Sequence, residues 1–156
     1  VTFTVDATIT GALADLTSAF SSDNIAFTDA AAVAAINVTD TGSIAASDLT
    51  DFQELDGVGV ITIGNTVSAV EGTLEEINAA IALDTAGDVA ALVDRGTSAD
   101  GVEEGDDGYY IDLAINVSDS ITVTEANTLI SAVDGVVTAT ISDTDMLAKR
   151  LNMLQF

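Results

Sequence analysis

The stretch "INVTDTGSIAASDL", Ile36 to Leu49, is echoed by "INVSDSITVTEANTL", Ile115 to Leu129. Each opens on alternating apolar residues, reaches an Asp at its fifth position (Asp40, Asp119), and runs on into a segment with an apolar residue every three or four positions. Alternation predicts a short strand, and the longer period predicts a helix. The opening phrase recurs as "IAFTDA" ending at Ala30, "ITIGNT" ending at Thr66 and "ATISDT" ending at Thr144. The acidic or amide positions are thus Asp29, Asp40, Asn65, Asp119 and Asp143. Asp40 and Asn65 are 25 positions apart, and Asp119 and Asp143 are 24 apart. The gap from Asn65 to Asp119 is about double, so a unit there is expected to be lost or decorated.

Each unit therefore reads as strand, polar turn and helix. The helical faces are Leu13, Leu16 and Phe20; Leu49, Phe52 and Leu55; Leu74, Ile77 and Ile81; and Ala126, Leu129, Ile130 and Val133. Ser47 and Thr124 are the expected N-caps, and Asp48, Glu75, Glu76 and Glu125 fall in first turns, where the helix dipole favours acids. Helices of two or three turns do not stand alone in water, and neither does a five-residue strand. Stacked unit on unit they do. The expected fold is α/β: a β/α solenoid with short parallel strands on one side and short helices on the other, residues 1–156 forming a single repeat-built domain. A compact α/β domain is the alternative.

In a solenoid the five Asx positions form a structural ladder. Their side chains either accept turn N–H groups or, at Asp40, Asp119 and Asp143, hold ordered metal. Both readings stand at this point.

Composition narrows the role. Net charge is −23, with Arg95, Lys149 and Arg150 as the only basic residues, which excludes phosphate-backbone recognition of nucleic acid and attraction to an anionic membrane. Such self-repulsion is relieved by salt or bound cations. No apolar run approaches the roughly 20 residues of a membrane span. The chain opens on Val1 rather than Met, as expected of a processed product or an excised piece, so the want of a leader carries no weight. It has no His and no Cys, which removes the usual bases, thiol nucleophiles and transition-metal ligands. "GVGVITIGNT" from Gly57 lacks the P-loop lysine and reads as turn and strand. No enzyme is expected.

Two segments fit no unit. Residues 84–110 read as an irregular acidic insertion, ending in "SADGVEEGDDGYY". Asp100, Glu103, Glu104, Asp106 and Asp107 there offer calcium several oxygens from a glycine-loosened loop, although the pattern is not that of an EF-hand. A solvated acidic loop is the plainer reading, and the adjacent Tyr109 and Tyr110 are the natural place for a carbohydrate. Residues 144–156 read as a C-terminal capping or assembly helix, with Met146, Leu147, Leu151 and Leu154 on one face and Met153 and Phe156 extending it. In the assembly reading Met146, Lys149, Arg150, Leu151, Leu154 and Phe156 make the contact, the two cations meeting an acidic neighbour. "NVT" at Asn37 and "NVS" at Asn116 fit the glycosylation sequon but lie at expected strand ends, and are read as coincidental.

"TDTGSIAASDLTDFQELDG" (39–57), "TVSAVEGTLEEINAAIA" (66–82) and "ITVTEANTLISAVDGVVTATISDTDM" (121–146) resemble repeats of giant, acidic, calcium-associated surface proteins of bacteria, above all cyanobacterial ones. Gly11–Asp15 is a further partial match, while 84–110 and "LAKRLNMLQF" depart from the pattern. The resemblance implies an extracellular or cell-surface location. It also implies a structural role in a surface layer, sheath, filament or giant adhesin, strengthened by calcium. The expected partners are further repeats of the same parent chain or other copies of it. The alternative is a surface module that binds a carbohydrate or a protein partner.

Overall fold

The computed structural model describes residues 2–3, 8–22, 26–27, 34–86, 88–90, 113–133 and 135–142. In chain order the first elements are β1 (Thr2–Phe3), β2 (Thr8–Gly11), α1 (Leu13–Phe20), β3 (Ala26–Phe27), β4 (Ala34–Val38), β5 (Gly42–Ala45) and α2 (Ala46–Gln53). They are followed by β6 (Val58–Ile63), β7 (Val67–Gly72), α3 (Leu74–Ala86), β8 (Val89–Ala90), β9 (Ala114–Ile121), α4 (Val123–Ile130) and β10 (Val137–Ile141). The protein is α/β, with parallel sheets and four helices among the described residues.

The strands form two four-stranded sheets, ordered β2-β4-β6-β8 and β10-β9-β7-β5, and a β1-β3 pair. Pairing joins residues of the same kind from successive units. In the first sheet Ile9 lies opposite Ile36, Ile36 opposite Ile61, and Ile61 opposite Val89. In the second, Ile44 lies opposite Val70, Val70 opposite Ile115, and Ile115 opposite Val137. Both rows point inward, and Ile36, Ile61, Val89, Ile44, Val70 and Ile115 are buried. Each such β-branched side chain contributes about 2 kcal/mol by leaving water. α2 packs between α1 and α3 and against β5, β6 and β7, so Phe52, fully buried, closes the core over both sheets.

The structure differs from the sequence reading in the make-up of a unit. Two units carry two strands each, β4 with β5 and β6 with β7, and the second strand feeds the helix. "GSIA" and "VSAVEG" were legible only as polar turn, because β5 offers one large apolar residue, Ile44, and β7 mixes Val with Ser, Ala and Glu. The links from β4 to β5 and from β6 to β7, which cross between the two sheets, are short, residues 39–41 and 64–66. Gly64 permits the second: its N–H donates to the Val38 carbonyl at 2.8 Å. A Cβ at that position would stand 2.7 Å from the same oxygen.

The doubled gap also resolves. β8 joins β6 in the first sheet and β9 joins β7 in the second, so described strands on either side of the gap continue both sheets. At the start of the segment expected as an insertion, 84–110, Asp84 to Ala86 belong to α3 and Val89–Ala90 is a paired strand. Residues 91–112 lie outside the described residues.

Candidate functional site

The recurring carboxylates serve the helices. Asp40, two positions beyond Val38, accepts the N–H of Leu13, the first residue of α1, at 2.7 Å. Asp119, two beyond Val117, accepts the N–H of Leu74, the first residue of α3, at 2.9 Å. The geometry is the same because the register is the same: Val38 lies opposite Gly11 and Val117 opposite Gly72. Where one strand turns into a helix, its neighbour runs on and brings an Asp to the exposed first turn. The sequence reading had the Asp serving its own turn; these bonds instead reach 27 and 45 residues back along the chain.

The expected single ladder is divided accordingly. Asp40 and Asn65 occupy matching positions, two beyond the paired Val38 and Ile63 of the first sheet. Asp119 belongs to β9 in the second sheet. Asp29 and Asp143 lie outside the described residues, as do Asp100, Glu103, Glu104, Asp106, Asp107, Tyr109 and Tyr110, and Met146, Lys149, Arg150, Leu151, Leu154 and Phe156. Among the described residues no group of three or more metal-ligating side chains comes together. Asn37 and Asn116 sit inside β4 and β9, each with a paired residue on both neighbouring strands.

Two helices also carry their own caps. Thr122 and Glu125 form a capping box on α4: the Thr122 N–H donates to Glu125 Oε2 at 2.7 Å, and the Glu125 N–H donates to Thr122 Oγ1 at 3.2 Å. Thr73 and Glu76 repeat the arrangement before α3, at 2.7 and 3.3 Å. The expected caps at Ser47 and Thr124 are corrected: α2 starts at Ala46 after Ala45, which makes no side-chain cap, and α4 starts at Val123. The signal for the true caps is T-x-x-E, present at both places. Ile130, expected on the buried face of α4, is 57% exposed.

No Lys or Arg occurs among the described residues. Backbone N–H groups at helix N-termini are therefore the positive poles available to these carboxylates. α1 depends on this most, because its N-cap is Ala12, which has no capping side chain. Asp40→Ala is expected to cost about 1 kcal/mol, the typical worth of a lost cap. Asp119→Ala should cost less, since α3 keeps the Thr73–Glu76 box. Urea unfolding of both variants checks the order, and equal losses would contradict it.

The backbone N–H and hydroxyl of Thr122 hold the Glu125 carboxyl below its ordinary range, against desolvation and the nearby Asp119 charge. A depressed carboxylate stabilises the fold above its unfolded pKa, and this contribution fades as pH falls through the folded value. Glu125→Gln keeps a capping group without the titration. The gap in melting temperature between wild type and variant should thus be present at pH 6 and close in acid, below the ordinary glutamate range. A gap that is constant down to pH 3 would contradict the assignment.

Fold and capping together define a parallel-sheet α/β protein whose units are tied by helix-terminal carboxylates. A scan of family models, a search of curated proteins and a search of solved structures each return no match. No helix among the described residues is long and apolar enough to cross a membrane.

Proposed function

We propose that the chain is a structural component of an extracellular bacterial surface assembly, built as a β/α solenoid and strengthened by calcium. The observation that carries this reading is the in-register row Ile9, Ile36, Ile61 and Val89, in which each unit shelters the next. Stacked repeats would give such a row, and they continue as long as further units are supplied. Three further features support it: the resemblance of 39–57, 66–82 and 121–146 to surface-array repeats, a charge of −23 that calls for cations, and the lack of His and Cys. The role has no catalytic step. Calcium is assigned to Asp100, Glu103, Glu104, Asp106 and Asp107, with the helix-capping Asp40 and Asp119 left to structure.

Melting curves in millimolar calcium, in NaCl of matched ionic strength and in chelator, beside electron microscopy of each sample, test this. A ligand that binds only the native state raises the melting temperature beyond what screening gives. The expected result is a calcium-specific rise with visible association, and antibody labelling of intact source cells. A chain that stays monomeric at high concentration in calcium, with no rise beyond the salt control, overturns the proposal.

A further inference from the structure

The last described unit ends on a face built like an interior one. Among the described residues, four of the five exposed large apolar side chains, Val123, Ile130, Val136 and Ile141, belong to α4, β10 and the link between them. The first residue of each helix makes the comparison direct. Leu13 and Ala46 are 3% and 0% exposed, and Leu74 is half-buried, whereas Val123 is 51% exposed. Seven residues on, Phe20 and Ile81 pack against the core, whereas Ile130 is 57% exposed. The covering in the earlier units comes from the chain that follows. A Cβ added at Gly72, in the unit after α2, would lie 3.4 Å from the Ala46 side chain. β10 is also the edge of its sheet. An edge strand with apolar side chains beside it is a surface to be covered.

We infer that residues 144–156 of the same chain cover this face. Three observations single out that occupant. The segment follows β10 directly, so its effective concentration at the face is high. Its Met146, Leu147, Leu151 and Leu154 recur at helical spacing, which supplies the apolar stripe that α4 and β10 lack. It also carries Lys149 and Arg150, two of the three basic residues of the chain, to a rim where Asp119 and Glu125 are exposed. The described body of a second copy has no Lys or Arg and would bring like charge to the same rim. Among the described residues, the α1 end of such a copy contributes no exposed large apolar residue either. This assignment does not depend on where the protein works or on calcium.

Hydrogen exchange on the intact chain in chelator, with its mass in solution measured alongside, tests the inference at two protein concentrations a hundredfold apart. The expected result is a monomer whose 144–156 amides exchange at least about tenfold more slowly than in the free peptide, at both concentrations. In the double variant Val123→Asp, Ile130→Asp this protection should vanish while β4 and β6 stay protected, which shows that the body remains folded. In Leu151→Asp the same loss is expected. Removal of 144–156 should leave a folded body that associates as the apolar face is freed. Unprotected 144–156 amides in the monomer overturn the inference. So does protection that fades on dilution, which would put a second copy on the face, or protection that survives the double variant.

Discussion

Phe52→Ala is expected to lower the unfolding free energy by about 4 kcal/mol, in the range for a large core side chain truncated to a methyl. Phe52 is 0% exposed and is the largest of the fully buried side chains among the described residues. It sits on α2, the helix that touches α1, α3 and strands of both sheets. Its ring meets Phe20 edge to face, with centroids 5.4 Å apart and planes at 87°. Elsewhere the core is Ala, Val, Ile and Leu, whose small volumes leave little material to collapse into the space. The cavity would therefore persist, and its cost adds to the lost transfer free energy. Phe52→Leu retains much of the volume and should lose only about 1.5 kcal/mol. Urea unfolding with an unchanged denaturant slope checks both, and a loss below 1 kcal/mol for the alanine variant would place the core elsewhere.

Gly135→Ala is the second large effect, for a different reason. A Cβ built there stands 1.9 Å from the Leu113 carbonyl oxygen, 2.5 Å from its carbon and 3.1 Å from the Ala114 nitrogen. All three atoms are backbone, so no side chain can swing aside. The clash lies at the first rung between β9 and β10, where the Ile115 N–H donates to the Val136 carbonyl at 2.9 Å. One methyl group would push β10 off its neighbour, at an expected cost of about 3 kcal/mol. Amide exchange should quicken in β10 first. Gly11→Ala is the control: its methyl meets only the Leu16 side chain, at an ordinary 3.5 Å, and its effect should be within about 1 kcal/mol.

The first strand of each unit was legible because Ile36–Val38 and Ile61–Ile63 alternate cleanly, and the helices because Leu13, Leu16, Leu49 and Phe52 recur at helical spacing. The second strand was not. β5 and β7 take their form from a neighbour's hydrogen bonds, with Ser43, Ser68 and Glu71 turned to solvent, and such strands carry little pattern of their own. The recurring Asp was visible as a position, but its work was not. That Asp40 faces Leu13 follows from Gly11 lying opposite Val38, a fact of inter-strand register that no local spacing encodes. The T-x-x-E signal for capping boxes stands in the sequence at Thr73 and Thr122, although the expected cap of α4 was Thr124. Apolar spacing alone set the start of α4 two positions late, at a cap on Thr124 rather than Thr122, because Val123 is apolar and yet exposed.

The backward reach of Asp40 and Asp119 gives the molecule a direction. During synthesis α1 has no partner for its first N–H until residue 40 has left the ribosome, and α3 waits likewise for residue 119. Order therefore arrives late, each completed stretch locking the one made before it. Shortening the chain from its end should loosen what precedes the cut, whereas trimming the same length from its beginning leaves the later helices with their anchors. Two matched truncation series, compared by melting temperature, would show that asymmetry as a steeper decline from the carboxyl side.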